Sequence, residues 1–164
     1  MSTYQIEFMQ RAIELSAQAL TAPGTEPFGA VVVRDGQIVG EGLNHSVAHF
    51  DPTSHGEVEA LRDACRKLRT INLSGCEVYT SCEPCALCVA AMQIAGIGRL
   101  FYAATLAQSG EAFEGLSQTD HNPIDCDLLR AEAGAPIDMR RLPAAQRLAP
   151  EAIAVLKTWA AQRL

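Results

Sequence analysis

Residues 28–41 read Phe28-Gly29-Ala30-Val31-Val32-Val33-Arg34-Asp35-Gly36-Gln37-Ile38-Val39-Gly40-Glu41. Phe28 to Val33 is a short apolar run with three β-branched residues, which favours a strand. Asp35-Gly36 suits a tight hairpin turn, whose two central residues take positive φ, and Gln37 to Glu41 returns as the second strand. Upstream, Phe8, Met9, Ala12, Ile13, Ser16, Ala19 and Leu20 recur at helical spacing over Thr3 to Leu20, until Ala22-Pro23-Gly24 breaks the pattern. Downstream comes a loop with Asn44, His45, His49 and Asp51-Pro52. Ser54 then opens a predicted helix with Ala60, Leu61, Ala64, Cys65 and Leu68 on its apolar side. Cys76 to Thr80 reads as a strand. Pro84 begins a helix reaching about Ala95, ended by Gly96 and Gly98, and Arg99 to Ala103 reads as a further strand. Leu106 to Pro136 is Gly-rich and polar without a clear period, and Pro150 starts a last helix over Glu151 to about Gln162. Strands alternating with helices predict an α/β layered domain.

The chain has 164 residues, which suits a single domain spanning 1–164 with one core. Hydrophobic residues make up 48% and charged residues 20%, an ordinary globular composition with no repeat. A net charge of −6 argues against a binder of phosphate backbones and for a small substrate, so nucleic acid is not an expected partner. No apolar run is long enough for a membrane span, and Met1 to Gln10 has no basic region of a signal peptide, so a cytoplasmic location is expected. In that reducing setting six cysteines favour metal binding or catalysis over a disulfide framework.

Three features stand in order: His55-Gly56-Glu57, Pro84-Cys85 and Cys88. Zinc prefers imidazole nitrogen and thiolate sulfur, and a catalytic zinc takes three protein ligands and keeps a fourth position for water. His55, Cys85 and Cys88 supply three. Cys85 and Cys88 fall three apart in a predicted first helical turn, so they share a side, where free N–H groups favour thiolates. Glu57, two residues from His55, is placed to move protons as a non-ligand carboxylate. Plainer readings exist. Ser54 and Glu57 also fit a capping box. A Cys-x-x-Cys pair also occurs in redox and structural zinc sites, and His45, His49, His121 or Cys82 would be candidates for a fourth ligand.

The sequence resembles the cytidine-deaminase-like superfamily of zinc deaminases, in the branch holding guanine, guanosine and tRNA adenosine deaminases. The matching stretches are Pro27 to Val31, Asn44, Asp51 to Ala60, Tyr79 to Cys88 and Arg99 to Ala104. The resemblance implies a three-layer α/β/α fold with a central mixed five-stranded sheet, one Zn2+ with bound water per subunit, and a homodimer. It implies hydrolytic removal of an amino group from a nucleobase or nucleoside, guanine foremost. A tRNA adenosine, cytosine or cytidine substrate remains an alternative, and so does a structural zinc module. By the same resemblance Asn44 bonds the substrate, Phe28 lines its pocket and the Ala30 backbone contributes. The bland alternatives are a turn for Asn44 and core packing for Phe28. Guanine deaminases of this kind carry Phe-Asp-Asp where this chain has Phe113-Glu114-Gly115, making Glu114, or Glu111, the candidate second carboxylate. They also carry an aromatic residue where this chain has Met92-Gln93-Ile94. The C-terminal helix with Trp159 resembles a tail that closes the pocket, sometimes by exchange between subunits; as a plain helix its Trp159 would be a packing anchor. Cys65, Cys76 and Cys126 read as buried fillers, His121 as solvent-facing, and Arg140, Arg141 and Arg147 as a solvated basic cluster.

Overall fold

The computed structural model describes residues 4–117 and 123–163. His121 lies outside them. The chain divides into two compact units, Met1–Cys126 and Asp127–Leu164.

The first unit is built on a mixed sheet. β1 (Glu26–Arg34) and β2 (Gln37–Asn44) form the expected hairpin, with Asp35 and Gly36 both at positive φ, 51° and 73°. β3 (Glu77–Cys82) pairs antiparallel with β1, and β4 (Arg99–Ala104) runs parallel to β3, giving the order β2-β1-β3-β4. The sheet has four strands among the described residues, not the five expected. The chain leaves β4 at Thr105, whose side chain and that of Gln108 form a capping box and start helix α4 over Leu106–Ala112. Downstream the described regular elements are helical, because that stretch lacks a β-branched alternating run.

Helices α1 (Ile6–Ala17), α2 (Gly56–Leu68) and α3 (Ala86–Ala95) cover the sheet. Alternation along β1 sorts its side chains into two layers. Val31 and Val33 pack with Tyr79 against Phe8, Met9 and Leu15 of α1. Ala30 and Val32 face the other way, into a core with Val58, Ala60, Leu61 and Ala64 of α2 and Cys88, Met92 and Ala95 of α3. The three-layer α/β/α arrangement is therefore present. β2 turns two glycines toward α2: a Cβ on Gly40 would lie 2.4 Å from the Ala60 carbonyl oxygen, and one on Gly42 2.1 Å from that of Gly56. Helix backbone thus lies directly on strand backbone.

An ion pair ties α1 to β2. The Arg11 guanidinium donates from Nε and Nη2 to the two Glu41 carboxylate oxygens at 2.7 and 3.2 Å and holds that carboxyl below its usual range. A depressed carboxylate stabilises the fold above its unfolded pKa and loses that contribution as pH falls through the folded one. Arg11→Gln is therefore expected to cost about 0.5–1 kcal/mol at pH 7, the pair being about one-third exposed. The gap to the parent should narrow as pH falls below about 4.5. Urea titrations at pH 7 and pH 3.5 check this.

The second unit holds most of α5 (Cys126–Gly134), a short 3-10 turn and α6 (Ala149–Ala161), with proline in its first turn. No residue of α6 is buried. Trp159 is 58% exposed with the Arg163 guanidinium stacked 3.7 Å from its ring, so it is not a packing anchor in this chain. Arg140, Arg141 and Arg147 are exposed, as expected.

Candidate active site

Two helix starts meet over the end of the sheet. His55 is the N-cap of α2 and Cys85 the N-cap of α3, both with extended backbone, and neither uses its side chain to cap. The capping box read at Ser54 and Glu57 does not form, because Ser54 Oγ donates instead to Glu59. The freed side chains converge. Cys85 Sγ lies 3.5 Å and Cys88 Sγ 3.4 Å from His55 Nδ1, and the two sulfurs are 3.7 Å apart.

That triangle tests the fit to zinc. Bond lengths of about 2.3 Å to sulfur and about 2.0–2.1 Å to nitrogen, at tetrahedral angles, demand S···S near 3.8 Å and S···N near 3.6 Å. The observed edges match one face of that tetrahedron. Among the described residues no fourth His, Cys or carboxylate ligand joins the set. His45 and His49 stack on each other 4.7 Å apart, their Nδ1 atoms engaged by Leu43 and Ser54. Cys82 Sγ faces the Thr105 carbonyl. A trio with an open apex is the donor set of a catalytic zinc rather than of a closed structural one. Hydrogen bonding with Cys88 pulls the Cys85 thiol down to about 4, while the same bond and burial push Cys88 up. All six cysteines are free.

Glu57 is 5% exposed and sits beside this trio. Thr80 Oγ1 donates to its Oε1 at 3.1 Å, and the Cys88 thiol donates to its Oε2 at 3.3 Å. Burial pushes its carboxyl above the ordinary value. A cavity of about 420 Å³ opens over the trio and Glu57, within the usual range for small ligands. Phe28 lines it and meets the Phe113 ring edge-on at 5.7 Å, so it is a wall residue rather than core. This pair supplies aromatic surface where Met92 is buried in the core and Ile94 is 87% exposed. Asn44 also lines the cavity, 3% exposed, accepting from the Ser46 N–H at 2.9 Å and donating to Glu26 at 3.0 Å.

The remaining expectations are not brought to this place. Ala30 is fully buried one alternation deeper than Phe28 and does not line the cavity. Glu111 and Glu114 are exposed and off its wall. Cys65 packs on the core and Cys76 is buried in it, but Cys126 is half-buried and also borders the cavity. Three participants were not named as site residues from the sequence: Glu26, Thr80 and Phe113. Glu26 was findable, since it stands at i−2 from Phe28 on the same strand face. Nothing local marked Thr80, and Phe113 was quoted only as the neighbour of Glu114.

Residues 2–104 match the family model for the cytidine and deoxycytidylate deaminase zinc-binding region. The guanine deaminase of Bacillus subtilis is 36% identical over 152 residues, 93% of this chain and 91% of that protein. An X-ray structure of guanine deaminase from the same organism matches with a TM-score of 0.81 at 34% identity, covering 96% of this chain and 94% of that one. The tRNA-specific adenosine deaminase of Aquifex aeolicus is 34% identical over 98 residues, 60% of this chain and 65% of that protein.

Proposed function

This chain belongs to the cytidine and deoxycytidylate deaminase family of zinc-dependent hydrolytic deaminases, and from that premise we propose that the ring it deaminates is guanine, or an amino-substituted ring of the same size. The observation that carries the reading is the three-donor trio with Glu57 against it, at the floor of an aromatic-walled cavity. His55, Cys85 and Cys88 would hold the zinc, which when bound would lower the pKa of a water toward ~7 and so make a nucleophile available at neutral pH. The protein does the rest. Thr80 fixes one Glu57 oxygen and leaves the other toward the metal side, so an ionised Glu57 would take one proton of the attacking water and give it to a ring nitrogen, then take the second from the hydroxyl added to the ring carbon and give it to the departing amine. Phe28 and Phe113 hold a flat ring by its faces and edge, and Asn44 offers an amide to its polar rim.

The wall chemistry narrows the substrate. Glu26, Glu57 and Glu83 line the cavity, and no lysine or arginine does among the described residues. A phosphate would meet carboxylates without a partner cation, so a free base or nucleoside is favoured over a nucleotide or a tRNA backbone. Ammonia release by zinc-loaded protein from guanine, guanosine, guanosine monophosphate, cytosine, cytidine and adenine tests this. Guanine is expected to turn over fastest and the monophosphate not at all. Silence on every ring, or a preference for the phosphorylated one, would overturn the reading.

A homodimer belongs to the same proposal. Ile94 on α3 is 87% exposed and Tyr102 on β4 47% exposed, and α6 carries Ile153, Val155, Leu156 and Trp159 at 47–69% exposure. A helix with no buried residue gains its stability by packing, and a second copy is the partner we propose for the apolar side of α6. No helix among the described residues is long and apolar enough to cross a membrane.

A further inference from the structure

Glu26 has a cost that the catalytic scheme does not explain. It is a carboxylate only 7% exposed, placed in the cavity wall where an apolar residue would serve stability better. The strand is bent to put it there. Glu26 pairs with Asn44 and Gly29 with Leu43, so the ladder skips Pro27 and Phe28. Proline has no N–H to give a ladder, and such irregularities re-aim side chains beside active sites. The Gly29 N–H is met instead by Ser81 Oγ at 3.0 Å. As a result Glu26 and Phe28 both reach the cavity, and Glu26 Oε2 accepts from Asn44 Nδ2.

This contact settles how Asn44 faces. Its Oδ1 takes the Ser46 N–H and its Nδ2 gives to Glu26, so the amide cannot turn over without losing both bonds. The two buried carboxylates of the cavity thereby divide. Glu57 is engaged with Thr80 and Cys88 on the metal side, and Glu26 with Asn44 on the other. A carboxylate accepts and an N–H donates, so a ring pressed against Asn44 and Glu26 is favoured when it presents an N–H there.

We propose that Glu26 is a specificity-determining residue: its carboxylate, seated beside Asn44, accepts a ring N–H of the substrate and so selects a free base over rings alkylated at that nitrogen. The inference rests on guanine being the substrate and sharpens that reading. It makes the N-glycoside a poor substrate wherever the sugar occupies the nitrogen that Glu26 reads.

The test is a substrate–variant cycle on the zinc-loaded full chain. Steady-state rates are measured for the parent and Glu26→Gln on guanine and on guanine methylated at N1, N7 or N9. Glutamine keeps the size and an oxygen for Asn44, and zinc content and thermal midpoint confirm that the variant is folded. A hydrogen bond to a charged group corresponds to about 10–100-fold. Glu26→Gln should lose that much kcat/KM on guanine, mostly through KM. One methylguanine should be equally poor for the parent yet no poorer for the variant, while the other two fall by the same factor in both. If Glu26→Gln instead scales all four rings by one factor, or leaves guanine untouched, the inference is overturned. Should Glu26→Gln fail to fold, Glu26→Asp, which keeps the charge on a shorter arm, runs the same cycle, and the same two results support or overturn the inference. Failure of the guanine reading shows separately, as parent enzyme that turns over none of the four, and the inference then falls with it.

Discussion

Glu57→Gln is expected to leave the protein folded and zinc-loaded while cutting turnover by about 10²–10⁴-fold, the span of a lost general acid–base. Glutamine is nearly the shape of the protonated glutamate, and its amide oxygen still accepts from Thr80 Oγ1. Burial already drives Glu57 toward its neutral form, so a neutral replacement imposes no new desolvation cost, and the thermal midpoint should stay level or rise. What is lost is a group that changes protonation. Cys85→Ser makes the contrast: it takes an anchor from the trio, so metal content and activity should fall together, as they should when a chelator strips the parent. Metal analysis beside ammonia release separates the two outcomes. A fully active Glu57→Gln, or one that has shed its metal, would remove Glu57 from the proton path.

Gly42→Ala should be the most damaging single-methyl change in the sheet, costing about 2–4 kcal/mol of stability. The new methyl would lie 2.1 Å from the Gly56 carbonyl oxygen and 2.4 Å from the Ala60 nitrogen. Both are backbone atoms of α2, which cannot rotate aside, so the helix start must lift from the sheet. That start carries His55 and Glu57, so weaker metal retention and lower activity should accompany the loss of stability. Gly134→Ala is the comparison: nothing stands within 4 Å of its added methyl, and it should change stability by about 1 kcal/mol or less. Equal denaturation midpoints for Gly42→Ala and the parent would contradict the close strand–helix packing.

How far the site could be read in advance follows from how local its causes are. The hairpin rested on Asp35-Gly36 and the end of α3 on Gly96, both at positive φ as their chemistry requires. The zinc trio was legible because helix-start geometry brings Cys85 and Cys88 together and two such starts face each other. The capping-box pattern at Ser54 and Glu57, the plainer alternative, does not form because Ser54 Oγ donates to Glu59 and Thr80 Oγ1 donates to Glu57. Ala30, whose backbone the resemblance offered, lies fully buried in the core and off the cavity wall. Glu114 was expected from sequence position, yet the turn after α4 leaves it exposed while its neighbour Phe113 meets Phe28. Such pairings join residues 85 apart in the chain and leave no local signal.

Helix α4 differs from the other walls of the cavity. Its seven residues include none that is buried, whereas six of α2 are, and it is held by the Thr105–Gln108 cap and by the Leu106 N–H on Glu83. Yet Leu106, Ser109 and Gly110 from it border the cavity. Segments with few buried contacts open at the low end of a protein's range of local unfolding energies. Entry and exit of a ring can thus be served by the fraying of two turns at the rim, with the metal ligands undisturbed on rigid ground. Release and global robustness become separately adjustable: bracing α4 would slow the traffic without strengthening the core, and a firmer core would leave the doorway as loose as before.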